Sequence, residues 1–146
     1  MKERVSFATT LDVRDTCICL HAQRAARALA RRFDEAMRPI GLTNGQFSML
    51  MALNRPEPVS ITPLARLLAM DRTTLTAALK PLERDGLVEP CRSPQDGRSR
   101  LFKLTDNGHA KLARALPIWR SVHASVEASV LPLDADALRD GLAALA

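Results

Sequence analysis

The sequence lacks several features that would assign a compartment or a fold class. No run of apolar residues approaches the roughly 20 that a membrane-spanning helix requires. Residues 1–10 contain no apolar stretch followed by a small-residue cleavage site, so we expect no secretion and a cytoplasmic location. Only three cysteines occur in 146 residues, which argues against a disulfide framework and predicts reduced thiols. Without repeats or low-complexity tracts, the chain is expected to form one soluble domain.

The patterns of enzymes and metal sites are also missing. The sequence contains no Gly-rich phosphate loop, no Ser-His-Asp order with a nucleophile turn and no metal-ligand spacing. Its histidines, His21, His109 and His123, are scattered and accompany no cluster of carboxylates or nucleophiles. Cys17 and Cys19, predicted on one helix, would point about 200° apart and chelate zinc poorly. The sequence therefore predicts no enzyme, no cofactor and no metal.

Positive charge is abundant and unevenly placed. The formal net charge is +5 and the isoelectric point is about 9.7. Residues 14–105 carry 15 basic and 9 acidic side chains, a net charge of +6, whereas residues 1–13 are neutral and residues 106–146 carry −1. A basic surface attracts polyanions because binding releases their counterions. Nucleic acid is therefore the first partner to consider, and an acidic membrane surface the second.

Hydrophobic periodicity predicts helices in the two flanks of the chain. The first helix is predicted from about Val13 to Arg38, and the second from Asn44 to about Asn54 after a capping box of Thr43 and Gln46. The predicted core-facing residues of the second helix are Phe47, Leu50 and Met51. After residue 105, Thr105 is predicted to cap a helix to about Val130, and a last helix runs from about Asp134 to Leu145. Its narrow apolar stripe needs a packing partner.

Between the flanks, the pattern predicts a helix-turn-helix. A short strand over Val59–Ile61 precedes a helix that Thr62 caps, with Pro63 at its first position. The predicted buried stripe of this helix is Leu64, Leu67 and Leu68. After two residues, Asp71 is a good cap for the next helix, which Gly86 ends. The inward residues of this second helix are Leu75, Ala78, Leu79 and Leu82.

The outward face of the second helix carries side chains that suit a DNA major groove. These residues are Arg72, Thr73, Thr76, Ala77 and Lys80, with Thr74 in the first turn as a further candidate. Guanidinium, hydroxyl and ammonium groups can contact base edges and phosphates. The alternative is an ordinary solvated polar face, which would be the better reading for an isolated helix. The preceding helix and the two-residue turn favour DNA binding.

A basic hairpin follows the two helices. Strands are predicted from Leu87 and over Ser99–Leu104, with an edge position for the first because it contains Pro90. Arg98 lies at the tip, where a carboxylate such as Asp96 is expected to hold its guanidinium for insertion into a minor groove. The residues expected to contact the DNA backbone are Arg92, Arg100 and Lys103. A solvated turn is the alternative, and the position after a helix-turn-helix favours a DNA-binding wing.

The chain resembles the multiple-antibiotic-resistance regulator (MarR) family of winged helix-turn-helix transcription factors. The segments that carry the resemblance are GLTNGQFSML at Gly41–Leu50, DRTTLTAALKPLERDGLV at Asp71–Val88 and DGRSRLFKLTDNG at Asp96–Gly108. Their order and spacing match the family over nearly the whole chain. The wing, in which Asp96-Gly97-Arg98 precedes a strand ending in Leu104-Thr105, is the most diagnostic segment.

The resemblance implies a mainly α fold with a small β-hairpin wing and with dimerisation helices at both chain ends. The expected division is an N-terminal helix in residues 1–40, a DNA-binding lobe in residues 41–105 and C-terminal dimerisation helices in residues 106–146. It implies a homodimer on a palindromic operator, with the helix at Asp71–Asp85 in the major groove and Arg98 in the minor groove. Packing of the flanking helices within one monomer is the alternative to dimerisation.

The resemblance leaves the controlling signal open. Members of the family often bind small aromatic or anionic effectors near the dimer helices, which would place His21, Arg24 or Arg27 near a ligand, although such an arginine stripe is usually a solvated face. The hydroperoxide-sensing branch has a reactive cysteine at the position of Cys19, supported by tyrosines that this chain lacks. The competing interpretation, which we favour, treats Cys17 and Cys19 as small buried apolar residues at the dimer seam.

A different class of function also fits the basic winged helix. The module would then bind an acidic protein partner instead of DNA. The sequence favours a transcriptional regulator, in most cases a repressor released by a small molecule, over this alternative. It does not reveal the operator or the effector.

Overall fold

A computed structural model describes residues 3–146 of the chain. Its helices are α1 (Phe7–Thr16), α2 (Ile18–Met37), α3 (Asn44–Leu53), α4 (Ile61–Leu67), α5 (Arg72–Arg84), α6 (Asp106–Ser129) and α7 (Ala135–Ala143), with a 3-10 helix at Arg38–Ile40. The strands β1 (Val59–Ser60), β2 (Val88–Arg92) and β3 (Arg100–Leu104) form an antiparallel sheet in the order β1-β3-β2. The predicted fold class, mainly α with a small β wing, is confirmed.

The N-terminal region forms two helices, so the prediction of one helix over Val13–Arg38 was wrong. The chain breaks at Cys17, whose backbone is extended at φ −69° and ψ 108°. The Cys17 Sγ accepts a hydrogen bond from the Leu20 amide at 3.4 Å and so caps α2. Thr16 donates back to the Asp12 carbonyl at 2.7 Å. Thr, Cys and Ile at positions 16–18 have modest helix propensity, and these local bonds stabilise the break.

Helix α3 begins as predicted, and its buried face is wider than predicted. Thr43 Oγ1 accepts from the Gln46 amide and Gln46 Oε1 accepts from the Thr43 amide, both at 3.2 Å, which completes the capping box. Met51 was predicted to face the core and is 42% exposed, whereas Met49 is buried. Helix α3 contacts α2, α4, α5, α6 and β3, so more than half of its circumference is covered and Met51 lies on the remaining side.

Helix α4 begins at Ile61, earlier than predicted. Val59 and Ser60 form β1 by pairing with Phe102 and Leu101 of β3, and α4 starts at the next residue. Thr62 therefore lies inside the first turn and is not the cap. The helix tolerates Pro63 there because first-turn amides have no partner in the helix. Leu67 was predicted to be buried and is 58% exposed, whereas Ala65 is buried.

The core of the described residues lies between Met37 and Ala115. Its largest side chains with almost no solvent exposure are Met37, Leu50, Leu64, Leu75, Leu79, Leu82 and Phe102. Phe102 and Leu104 share the buried face of β3, and Pro90 lies on edge strand β2, as predicted. The core therefore joins α3, α4, α5 and the sheet to parts of α2 and α6.

The start of α6 lies very close to the end of α5. Gly86 adopts a left-handed φ of 72° after α5, and its carbonyl accepts from Thr105 Oγ1 at 2.6 Å. Thr105 also caps α6 by accepting from the Gly108 amide at 3.0 Å. A Cβ placed on Gly108 would lie 2.1 Å from the Leu87 carbonyl oxygen. Only glycine therefore fits at position 108 without movement of the backbone.

Hydrogen bonds join α2 to α3, and aromatic stacking joins α6 to α3. Asp34 of α2 accepts hydrogen bonds from the Asn44 amide at 2.7 Å and from its side chain at 2.8 Å. These bonds, the backbone bond first, lower the pKa of Asp34. Trp119 of α6 stacks with Phe47 of α3, with ring centroids 6.3 Å apart, and with His123 of α6, with centroids 4.6 Å apart. Helix α3 is thus fixed to both long helices.

The two terminal helices differ from the rest of the fold. Neither α1 nor α7 contains a buried residue. Large apolar side chains that are exposed in these helices or close to them in the sequence include Phe7, Val13, Ile18, Leu131, Leu133, Leu142 and Leu145. Among the described residues, the structure contains no helix that is both long and apolar enough to cross a membrane. Pro117 does not interrupt α6, and α7 lies within the predicted range.

Candidate DNA-binding surface

The start of α5 is fixed by Asp71. Its carboxylate accepts from the Thr74 amide at 2.8 Å and from the Thr74 hydroxyl at 2.6 Å. The hydroxyl bond, followed by the amide bond, lowers the pKa of Asp71 and favours the charged cap. Thr74 was predicted as a DNA-binding residue, but its hydroxyl donor is already used by the cap. Its hydroxyl acceptor and methyl group remain for a ligand, so the DNA-binding role of Thr74 stays a prediction.

The exposed face of α5 carries the other predicted residues of the helix. Leu75, Leu79 and Leu82 are buried and Ala78 packs against the core, as predicted. The opposite side chains, with Ile61 of α4, line one shallow concave surface: Arg72, Thr73, Thr76, Ala77 and Lys80. The Thr76 hydroxyl donates to the Arg72 carbonyl at 2.8 Å, so it offers only acceptor lone pairs and a methyl group outward. The face can thus present two cations, hydroxyls and a methyl group to one ligand.

Ile61 is a member of this surface that the sequence did not indicate. It was predicted as the last residue of a strand, and its place at the start of α4 brings it beside α5. Its distance in sequence from Arg72 and Lys80 hides this contact from any periodic pattern. The available signal is Ser60, because serine is favoured at the N-cap and here precedes a helix that starts at Ile61.

The wing tip is stabilised by Asp96 in a different way from the prediction. Its carboxylate accepts from the Arg98 backbone amide at 3.0 Å and from the Ser99 hydroxyl at 3.0 Å. The expected contact with the Arg98 guanidinium does not occur in the described part of the chain. A carboxylate two residues before an amide forms an Asx turn, which satisfies the charge within the loop. The exposed Arg98 guanidinium therefore remains available to a ligand.

The remaining basic residues of the hairpin differ in their charge environment. Arg100 lies 3.7 Å from the Glu83 carboxylate and 5.4 Å from the Phe102 ring centroid. Lys103 lies 3.1 Å from Glu89 across the strand pair, and this hydrogen bond raises the pKa of Lys103. Arg92 is exposed and lines a concave surface with Arg98 and Arg100. Arg92 and Arg98 are thus the less neutralised cations of the wing.

The candidate signal-sensing residues lie on α2. His21 and Arg24 are exposed and line a concave stretch with Arg27 and Arg31. Cys19 is exposed, and its Sγ accepts from Gln23 Nε2 at 3.4 Å. The expected helical pair of Cys17 and Cys19 was wrong, because Cys17 lies at the helix break and is half-buried. The described residues contain no group of three or more side chains suited to hold a metal.

Comparison with known proteins identifies a consistent group of relatives. A sequence model described as the MarR family matches residues 40–99. The crystal structure of the M. tuberculosis transcriptional regulator MosR with DNA has a TM-score of 0.80 and 41% identity, covering 88% of this chain and 92% of that chain. The repressor CouR bound to a 23-mer DNA duplex has a TM-score of 0.80 and 30% identity, covering 98% and 99%. CouR bound to p-coumaroyl-CoA has a TM-score of 0.78 at 30% identity, covering 91% and 94%.

A curated relative is matched over a smaller part of its length. The organic hydroperoxide resistance transcriptional regulator of Bacillus subtilis (strain 168) is 29% identical over 102 residues, which cover 70% of this chain and 68% of that protein. For this protein and two further curated regulators, the match covers between 61% and 68% of the relative's own length. These relatives are named as regulators of transcription. The prediction of a DNA-binding regulator that is not an enzyme is therefore confirmed.

Proposed function

The chain belongs to the MarR family of winged helix-turn-helix transcriptional regulators, and we propose that it is a homodimeric repressor released from DNA by a small molecule. In this proposal residues 41–105 form the DNA-binding lobe, and residues 1–40 and 106–146 form the dimerisation region. The dimer acts in the cytoplasm on a palindromic operator, which two-fold protein symmetry matches. The effector is a small aromatic or anionic compound.

The observation that carries the DNA-binding part is the joint exposure of the α5 face and the wing tip. Arg72, Thr76 and Lys80 project from one side of a helix whose opposite side is locked into the core. Such a helix can enter a major groove while its scaffold remains rigid. Arg98 on the wing has the reach and the uncompensated charge for a minor groove. The relatives MosR and CouR have been seen bound to DNA, which supports the same role here.

The exposed apolar surface at the chain ends supports dimerisation. Helix α7 has nine residues, too few to be stable alone, and it buries none of them. An apolar groove between α2 and α7 is lined by Ile18, Ala22, Leu138, Leu142 and Leu145 among others. A second copy of the chain would cover Leu142 and Leu145 at this groove and the exposed apolar side chains of α1, Phe7 and Val13. Exposed apolar surface of this kind usually marks an interaction site.

The proposed release from DNA by a small molecule is supported by residues of α2. His21 and Arg24 lie exposed beside the proposed dimer region, where they can meet a ligand. CouR has been seen with p-coumaroyl-CoA, so one relative with this fold takes an aromatic anionic compound. A ligand that binds the DNA-free arrangement of the two lobes more tightly would shift the dimer away from the operator.

Selection of DNA from a genomic pool tests the proposal. Purified protein would be mixed with genomic fragments, retained fragments sequenced, and the mass of the complex measured by light scattering. We expect an inverted repeat whose half-sites lie one helical turn apart and two protein chains per site. Retention of one asymmetric half-site by a single chain would contradict the dimer. Absence of retained DNA, together with salt-sensitive binding to an acidic protein, would favour the interaction-module alternative.

A second candidate for the signal is oxidation of Cys19. The thiol is exposed, and the B. subtilis relative is named for organic hydroperoxide resistance. A hydroperoxide would transfer one oxygen to the thiolate, giving a sulfenic acid and an alcohol. Cys19→Ser should then abolish hydroperoxide-induced release from the operator, with Cys17→Ser as the matched control. If hydroperoxide releases both variants from the operator equally, Cys19 is not the sensor. The interpretation of Cys19 as a small residue of the dimer seam would then stand.

A further inference from the structure

One face of α2 carries a concentrated basic surface. Arg24, Arg27 and Arg31 are spaced at i, i+3 and i+7 and are all exposed. Residues three or four apart on a helix lie about 5–6 Å apart at their Cβ atoms, so the guanidinium groups can converge on one ligand. His21 lies one turn before Arg24 on the same face. Ala25 and Ala28 lie between the longer side chains and leave the surface concave.

The charges of this basic surface are not neutralised by the protein. Some exposed arginines have acidic partners; Arg14 lies 2.6 Å from Asp15, and Arg139 lies 2.7 Å from Glu127. In residues 3–146 no ion pair involves Arg24, Arg27 or Arg31. Like charges at i and i+4, such as Arg27 and Arg31, destabilise a helix. The surface therefore holds repulsive charges that an anion would relieve.

The kind of cation indicates the kind of anion. All three charges are guanidinium groups, whose planar forks bind phosphate oxygens in pairs and with little loss of hydration. Because the three arginines lie on successive turns of one helix face, more than one fork can approach a pair of linked phosphates. A single carboxylate would engage only one or two of the three arginines. The arrangement therefore favours a phosphate or pyrophosphate group over a simple carboxylate.

The basic surface continues into the apolar groove between α2 and α7. His21 and Ala25 line both, and Ile18 and Leu138 are part of the apolar side. We propose that this joined surface binds an amphipathic effector, with a phosphate or pyrophosphate head on Arg24, Arg27 and Arg31 and an apolar group toward Ile18 and Leu138. This inference rests on the proposed ligand-controlled function and names the chemical class of its effector. Because the second subunit would cover Leu142 and Leu145 of the same groove, the apolar group lies at the subunit boundary.

Calorimetric titration of the whole protein with two defined probes tests the inference. Inorganic pyrophosphate carries only the head group, and geranyl pyrophosphate adds an apolar chain. We expect geranyl pyrophosphate to bind, and inorganic pyrophosphate to bind about tenfold more weakly. Arg27→Gln should weaken binding of both probes about tenfold, because a charge-assisted pair of hydrogen bonds is lost. Arg27→Lys should restore part of the affinity, since it keeps the charge without the fork.

The control is Arg120→Gln, which removes the same charge from the exposed surface of α6. This variant should bind both probes like the parent, and circular dichroism should show all variants folded. Equal affinities of Arg27→Gln and Arg120→Gln, or no binding of either probe to the parent, would overturn the proposal. Equal affinity for the two probes would overturn the assignment of the apolar half.

A separate measurement distinguishes this site from a DNA contact. If α2 lies along the DNA backbone, Arg27→Gln would lower the slope of log affinity against log salt on the selected operator by about one, without affecting pyrophosphate binding. We expect the opposite: an unchanged salt slope and weakened pyrophosphate binding. Failure of the parent protein to bind any operator would contradict the proposed function, while the probe titrations would still decide the anion site.

Discussion

The middle of the chain and its two ends differ in how far they bury their apolar side chains. Every buried apolar residue of the described chain lies between Met37 and Ala115, whereas α1 and α7 bury none. Both kinds of region nevertheless have well-formed helix caps, such as Asp71 for α5 and Asp134 for α7. Side-chain caps of the same kind therefore begin helices in both regions. Only the middle region packs them into a core by itself.

This contrast teaches that the chain contains one internally complete unit and two incomplete ends. The complete unit holds α5 and the wing in fixed positions, as a DNA-binding surface requires. The ends present apolar side chains at α1, the start of α2 and α7, which a second copy of the chain would cover in the proposed dimer. Substitutions in the two regions should accordingly affect different properties, namely folding in the middle and association at the ends.

The largest effect is expected in the core. Leu75→Ala removes a side chain with no solvent exposure and should lower the free energy of unfolding by about 2–5 kcal/mol. Leu67→Ala is the matched control, because Leu67 is 58% exposed and should change stability by less than about 0.5 kcal/mol. Urea unfolding at fixed protein concentration measures both. Similar losses for the two variants would show that the core boundary is wrong.

The next largest effect is expected for association. Leu142→Asp combined with Leu145→Asp places two charges on exposed positions in and directly after α7, which are 50% and 67% exposed in the single chain. If a partner covers them, the dissociation constant should rise at least about 100-fold, or about 2.7 kcal/mol, because unpaired carboxylates would be buried. Analytical ultracentrifugation gives the constant. An unchanged constant in a folded variant would argue that these residues remain in solvent.

A smaller effect is expected at the wing. Arg98→Ala should weaken operator binding by about 1–3 kcal/mol, because the exposed guanidinium is lost from the minor groove. Fluorescence anisotropy with the selected operator at several salt concentrations measures the loss. Arg120→Ala carries the same charge change at a distance from α5 and the wing, and should bind like the parent. If both variants match the parent at every salt concentration, the wing does not contact DNA.

The smallest effect is expected from the joint between α2 and α3. Hydrogen bonds from Asn44 lower the pKa of Asp34 in the folded state, so the charged carboxylate stabilises the fold above its ordinary pKa of about 3.9. This contribution is lost as the pH falls through the lowered value. Asp34→Asn should therefore melt at a lower temperature than the parent at pH 6, with a narrower gap at pH 3. A constant gap would contradict the linkage.

The sequence predicted best what depends on neighbouring residues. The Thr43–Gln46 capping box, the Asp71 and Thr105 caps and the left-handed Gly86 follow from local hydrogen bonding and backbone preference. The exposed residues of α5 follow in the same way from the helical period. What these residues bind came from the family resemblance and the relatives, because exposure alone does not distinguish a reading face from a solvated one.

The errors occur where distant parts of the chain decide the outcome. Met51 and Leu67 were placed in the core because a narrow apolar stripe was assumed, but α3 is surrounded on most sides and α4 turns Leu67 outward. The start of α4 depends on the pairing of β1 with β3, which lies some 40 residues away in the sequence. The break at Cys17 depends on a thiol acting as a cap, which is an uncommon choice.

The stacking of Trp119 with Phe47 and with His123 gives the protein an internal optical probe. Trp119 is the single tryptophan of the chain, and the sequence contains no tyrosine. Ultraviolet emission therefore arises almost entirely from one indole, which stacks with Phe47 of α3 and with the His123 imidazole. Any movement of α3 against α6 changes the surroundings of that indole. Shifts in emission can thus follow the response of unlabelled protein to operator or effector in real time.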